Sequence, residues 1–273
     1  MDGRVALVTG GGSGIGAATA RRLATRGVRV GVLSRSPDEI ERVAAGIREE
    51  GGEALALTGD IARPETLEEA VGQLLERYGR LDIVIANAGI NGTWAPIEEL
   101  EYDEFRKTID INLFGTYATI RVCVPHLKKQ GGSVVITSSV NGTRMFSNSG
   151  ATAYSASKAA QVAMGRMLAL ELAKYRIRVN TVCPGAITTE IDENTEEEHL
   201  ERAREPVEYP EGKIPLTDGE PGSSEQVAQL MEFLVSDASA HITGTEVFID
   251  GAQSLLQGST SPGPHVRPVS DGL

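Results

Sequence analysis

The chain has 273 residues, 40% of them hydrophobic, and a formal net charge of −12, which is length enough for one large α/β domain or two small ones. Its acidic balance argues against partners that need concentrated Lys and Arg, namely nucleic acid and anionic membrane surfaces. No apolar run reaches membrane-spanning length, the opening MDGRVALVTG leaves no room for a signal peptide, and Cys123 and Cys183 stand far apart in apolar segments, so a cytoplasmic protein in a reducing compartment is expected.

RVALVTG (4–10) reads as a buried strand, residues 13–26 as a helix and VRVGVLS (28–34) as a second strand. A charged helix over 38–50, a strand EALALTG (53–59) and a helix over 64–78 follow. LDIVIAN (81–87) is a fourth strand, residues 102–129 one long helix, and SVVITSS (133–139) a fifth strand. Residues 153–174 read as a helix, IRVNTVC (177–183) as a sixth strand, 224–235 as a helix and TEVFID (245–250) as the last strand. Continuous Val/Ile/Leu runs alternating with helices predict a parallel sheet covered on both faces. Right-handed crossovers make that a doubly wound α/β fold of the Rossmann kind. With no linker or repeat, the expectation is one domain over 1–257. The Glu-rich stretch 190–211 reads as a solvated helix face or loop, or alternatively as an acidic gate. The Pro/Gly/Ser-rich tail 258–273 reads as disordered.

In such a sheet ligands bind beyond the carboxyl ends of the strands, and the chemically distinctive residues cluster there. Gly10, Gly14 and Gly16 in TGGGSGIG turn the first strand into the first helix. Glycine allows a tight turn and close backbone approach, and the helix N-terminus offers free N–H groups to a pyrophosphate. At the end of the second strand an acid would bind the two ribose hydroxyls and repel a 2′-phosphate. This chain has Ser34 and Arg35 instead. A guanidinium fork suits a phosphate, so NADP(H) is favoured and NAD(H) remains possible.

Tyr154 and Lys158 lie four residues apart in ATAYSASKAA, on one helical face. They are either a surface polar pair or an acid–base couple. An unperturbed phenol, with a pKa of about 10, supplies little base at neutral pH, and a neighbouring ammonium favours the phenolate. Tyr154 then suits general acid–base work. Ser139, at the mouth of the fifth strand, can hydrogen-bond a substrate oxygen whose charge changes. A surface pair does not account for the phosphate loop and the Ser-ended strand that precede Tyr154 and Lys158 in order.

TGGGSGIG (9–16), NAG (87–89), SSVNG (138–142), YSASK (154–158), PGAITT (184–189) and FLVSDASAHITGTEVFIDG (233–251) resemble, in order, the motifs of the short-chain dehydrogenase/reductase family of single-domain type. The resemblance covers residues 3–255. It implies Tyr154 as catalytic acid/base, Lys158 lowering its pKa and holding the nicotinamide ribose, and Ser139 orienting the substrate oxygen. It further implies that Asn112 holds a water linking Lys158 to solvent. The implied cofactor set is Gly10, Ser13, Gly14, Ile15, Gly16, Ser34, Arg35, Asp60, Ile61, Asn87, Ala88, Gly89, Tyr154, Lys158, Pro184, Gly185, Ile187 and Thr189. Helices over 104–127 and 153–175, with the last strand, are implied to build a homotetramer. Three departures stand out. The interval from Ser139 to Tyr154 is a couple of residues longer than in the family; DGAQ (250–253) stands where a second glycine is common; and the acidic segment 191–220, within the place of the substrate lid (187–220), carries no signature.

The four histidines, His126, His199, His241 and His265, have no metal-ligand spacing, so no metal is expected. The expected function is therefore an NADP(H)-dependent reductase of a small ketone. An NAD-dependent alcohol or sugar dehydrogenase using the same residues, and a non-catalytic nucleotide-binding scaffold, are the alternatives.

Overall fold

A computed structural model describes residues 1–146, 148–189, 191, 194–203 and 214–256. Seven parallel strands form the central sheet: β1 (Val5–Thr9), β2 (Arg29–Ser34), β3 (Ala54–Thr58), β4 (Ile83–Ala86), β5 (Gly132–Thr137), β6 (Ile177–Pro184) and β7 (Glu246–Ile249). Their spatial order is β7-β6-β5-β4-β1-β2-β3. Between them run α1 (Gly14–Ala24), α2 (Pro37–Glu49), α3 (Pro64–Tyr78), α4 (Tyr102–Ile109), α5 (Gly115–Leu127), α6 (Thr152–Leu172) and α7 (Ser224–Val235). The strand order reverses between β1 and β4, so the turns leaving these strands splay apart and open a crevice.

Alternation along each strand feeds two cores, since successive side chains point to opposite faces. Leu7, Val84, Val134 and Val179 pack with Leu67 and Leu74 of α3, Cys123 of α5 and Leu172 of α6. Val8, Val30, Val32, Ile85 and Val135 pack with Leu23 of α1, Ile47 of α2 and Met231 of α7. Each such large side chain taken from water contributes about 1.5–3 kcal/mol before entropy is counted. Both cysteines are free and buried.

The single helix expected over 102–129 is instead two. A π-helical turn, Asp110–Phe114, separates α4 from α5. Its extra residue rotates Asn112 inward, where the side chain is wholly buried, and Gly115 comes so close to Ile61 that a Cβ would lie 2.6 Å from Ile61 Cδ1. Such bulges often mark functional sites. The departure at DGAQ also finds its geometry. Ala252 takes φ +70°, a left-handed conformation costing about 1–2 kcal/mol. Asp250 accepts from Ala252 N at 3.2 Å and Ser254 N at 2.8 Å, and Gln253 Oε1 accepts from Ala186 N at 2.8 Å.

Two short parallel pairs stand apart from the main sheet: Ile187–Thr188 with Gly222–Ser223, and Gly92–Trp94 with Thr195–Glu197. Residues 204–213 of the acidic segment and the tail 258–273 lie outside the described residues.

Candidate active site

The loop between β1 and α1 is shaped by contact as much as by turn angle. Gly10 and Gly14 adopt φ +64° and +49°, which suits residues without a Cβ. A Cβ on Gly16 would lie 2.0 Å from the Gly10 carbonyl oxygen. Ser13 precedes α1 in extended conformation and makes no side-chain cap bond, and the first turn carries no acid. The helix therefore turns an uncompensated positive end toward the crevice. Asn87 ties the neighbouring strand ends together. Its Nδ2 donates to Thr9 O at 3.2 Å, its N to Thr9 Oγ1 at 3.0 Å, and its Oδ1 accepts from Thr137 Oγ1 at 3.1 Å.

Around this loop the crevice holds two adjoining chambers of about 200 and 540 Å³. Gly10, Ser13, Gly14, Ala88 and Gly89 line both. The smaller also presents Ile15, Asn87, Ser139, Tyr154, Lys158, Pro184, Gly185, Ile187 and Thr189. The larger presents Ser34, Arg35, Asp60 and Ile61 together with Arg21, Glu39 and Arg42. Two of the sequence-derived residues, Gly16 and Asn112, stand behind the walls rather than in them. Two chambers that meet at the glycine loop, backbone donors at a helix end and flanking arginines fit a dinucleotide with its pyrophosphate on the loop.

Within the smaller chamber Tyr154 and Lys158 are 7% and 3% exposed, so the surface-pair reading fails. Lys158 Nζ donates to Thr137 O at 3.1 Å and lies 5.4 Å from the Tyr154 ring centroid. Among the described residues no carboxylate stands within ion-pair distance of it. Burial pulls the ammonium down from its ordinary 10.5 to about 8, because a charge removed from water is disfavoured. Ser139 Oγ accepts from Asn141 N at 3.1 Å, and its hydroxyl hydrogen can still turn toward a ligand. The nearby Cys183 thiol is pushed up to about 11, mainly by burial, and so stays a poor nucleophile at neutral pH.

Asn112 is fully committed to protein partners. Oδ1 accepts from Ile90 N at 2.8 Å, while Nδ2 donates to Ile90 O at 2.9 Å and Ser157 Oγ at 3.1 Å. Its backbone carbonyl accepts from Gln161 Nε2 and Thr116 Oγ1, each at 2.7 Å. A Cβ on Gly89 would lie 3.0 Å from Asn112 Oδ1 and 3.5 Å from Lys158 Nζ, so this network backs the floor beneath Lys158.

Three neighbours escaped the sequence reading. Thr137 receives the ammonium through its backbone, which no side-chain pattern reveals. Trp94, whose ring centroid is 6.4 Å from that of Tyr154, is the only tryptophan in the chain and stands shortly after NAG, a usable signal. Glu39 lies inside α2 rather than at the end of β2, where an acid was sought.

The family model for short chain dehydrogenase matches residues 4–200. Levodione reductase of Leifsonia aquatica is 36% identical over 255 residues, spanning 92% of this chain and 94% of that protein. The 3-oxoacyl-(acyl-carrier-protein) reductase FabG of Thermotoga maritima is 36% identical, spanning 92% and 98%. A solved 3-ketoacyl-ACP reductase from Sinorhizobium meliloti 1021 superposes with a TM-score of 0.88 at 53% identity, covering 92% of this chain and 99% of the other. The Brucella melitensis 3-ketoacyl-(acyl-carrier-protein) reductase, solved in complex with NADH, gives 0.81 at 31% identity, covering 93% and 99%. With the glycine turn, the buried Tyr154–Lys158 couple and the seven-stranded sheet already in place, these matches identify the chain as an oxidoreductase belonging to the short chain dehydrogenase family.

Proposed function

We propose that the protein interconverts a small ketone and its secondary alcohol with NADP(H), using Tyr154 as the acid/base. The observation that carries this reading is the buried Lys158 ammonium, one helical turn from Tyr154 and without a carboxylate partner among the described residues. Ser139 donates a hydrogen bond to the substrate oxygen. Tyr154 delivers its proton to that oxygen as negative charge grows on it, and takes the proton back in the alcohol-oxidising direction. Lys158 stabilises the phenolate left on Tyr154. Asn112 is a positioning residue that holds the backbone at Ile90 and supports Gly89. When bound, the nicotinamide supplies or accepts the hydride.

For that cofactor, Gly10, Ser13, Gly14 and Ile15 cradle the pyrophosphate over Gly16. Asn87, Ala88, Gly89, Pro184, Gly185, Ile187 and Thr189, with Tyr154 and Lys158, hold the nicotinamide half. Ser34, Arg35, Asp60 and Ile61 hold the adenosine half. Arg35 and Arg42 line the larger chamber with Glu39 and Asp60, and the Arg35 guanidinium directly after β2 supports a 2′-phosphate. Oxidation of an alcohol or sugar with NAD⁺ as hydride acceptor is the second reading, favoured by Glu39 on the chamber wall.

The proposed catalytic domain spans 1–257 with residues 187–220 as its substrate lid, in a cytoplasmic homotetramer. Support for assembly comes from Phe114, Tyr117, Met167 and Leu170, which expose 51–80% of their surface in the single chain, and from β7, which ends the sheet with an unpaired edge.

The test follows nicotinamide absorbance with a panel of cyclic diones, 3-ketoacyl thioesters and keto-sugars. Reduction with NADPH is expected, and Tyr154→Phe should lower kcat by about 10³-fold with nucleotide affinity retained. Full turnover in Tyr154→Phe would contradict the reading.

A further inference from the structure

Glu39 sits in the first turn of α2, half-buried, on the wall of the larger chamber beside Ser34 and Gly12. A Cβ on Gly12 would lie 2.8 Å from Glu39 Oε2, 2.9 Å from Glu39 Cβ and 3.3 Å from Ser34 Oγ. Gly12 does not have a left-handed φ, unlike Gly10 and Gly14. Backbone angle therefore does not require glycine at position 12, and space does: the Glu39 side chain occupies the room a side chain there would need. Loop, hydroxyl and carboxylate share one corner of the chamber.

The other charges facing this corner are Arg21, Arg35, Arg42 and Asp60. Arg21 is turned toward Gly46 and Glu50; its Nη1 would lie 2.5 Å from a Cβ on Gly46 and is 3.9 Å from Glu50 Oε1. Among the described residues Glu39 forms no ion pair with Arg35 or Arg42, so its negative charge is not cancelled by either. A carboxylate beside the glycine loop accepts hydrogen bonds from a ribose diol and repels a phosphate on the same ribose.

We infer that Glu39, reaching back from α2, is a selectivity residue of the nucleotide site: it receives the ribose hydroxyls of an unphosphorylated dinucleotide and opposes the Arg35 guanidinium in the choice between NAD(H) and NADP(H). The inference rests on the reading that a nicotinamide dinucleotide binds this crevice. It adds that the two forms are discriminated weakly, because attraction by Arg35 and repulsion by Glu39 act on the same phosphate.

The test is Glu39→Gln, which keeps shape and removes charge. Dissociation constants for NADPH and NADH, read from nicotinamide fluorescence, and kcat/KM with each would be compared with wild type. The ratio of NADPH to NADH preference should rise about tenfold, the factor expected when one charge a few ångström away is removed from a half-exposed site. Arg35→Ala should move the ratio the opposite way. Glu39→Ser, which also removes the charge, should repeat the shift if Glu39→Gln folds poorly. An unchanged ratio, or equal weakening of both nucleotides, would overturn the inference. A wild-type preference for NADH would count against the Arg35 reading but leave the Glu39 shift standing. Wild-type binding of neither nucleotide would overturn both.

Discussion

At the amino ends of the strands Arg80 grips the buried Asp82 through two bonds of 2.8 and 2.6 Å, and Asp82 also accepts from Val5 N at 2.9 Å. Arg178 donates to Leu234 O, Ser236 O, Ile242 O and Ser239 Oγ at 2.7–3.3 Å; burial lowers its pKa, and two of those carbonyls belong to the negative end of α7. At the carboxyl ends of the same sheet Lys158 is more deeply buried, yet its ammonium donates to Thr137 O at 3.1 Å and meets no carboxylate among the described residues. Charge that holds the fold is matched by charge or by several oxygens. The Lys158 ammonium in the candidate site is left without a carboxylate partner among the described residues, as groups in functional sites often are.

Breaking the unmatched charge should have the larger effect on chemistry. Lys158→Met is expected to lower kcat/KM by about 10²–10³-fold without lowering the unfolding midpoint at neutral pH. The sign follows from linkage. The folded pKa of about 8 lies below the ordinary 10.5, so between these values the unfolded chain binds more protons and stability rises with pH. Below about 8 the penalty for burying the ammonium is present, and the substitution removes it. Calorimetry and steady-state kinetics on one preparation check both halves. Breaking the matched charge should do the reverse. Arg80→Ala leaves the Asp82 carboxylate buried without its guanidinium, and a loss of about 2 kcal/mol in denaturant unfolding is expected, with kcat per folded molecule unchanged.

The sequence made most of the sheet legible, because each strand is a short Val/Ile/Leu run bounded by turn residues and each is covered on both faces. The candidate site was legible for the same reason: its residues follow those runs at the carboxyl ends, so Ser139, Tyr154 and Lys158 converge by topology. What escaped depends on contacts between distant segments. The π-turn at Asp110–Phe114 lies in an unbroken helical pattern, and the bonds it allows Asn112 to make with Ile90 join segments far apart in sequence. Glu39 was hidden because its position on α2 gives no hint that it returns to Gly12. Ala252 holds a left-handed conformation that a sequence reader assigns to glycine, held there by bonds from Asp250. The environment of Lys158 shows least of all in sequence, since its burial and the lack of a carboxylate partner among the described residues belong to the folded chain.

That environment can be measured without substrate or cofactor. An NMR titration of isotope-labelled lysine side chains, with the Lys158 Cε signal assigned as the one lost in Lys158→Met, reads its protonation directly. A midpoint near 8, well apart from the other lysines, is the predicted result. A midpoint at the ordinary 10.5 would contradict the claim that the fold buries an unmatched ammonium beside Tyr154.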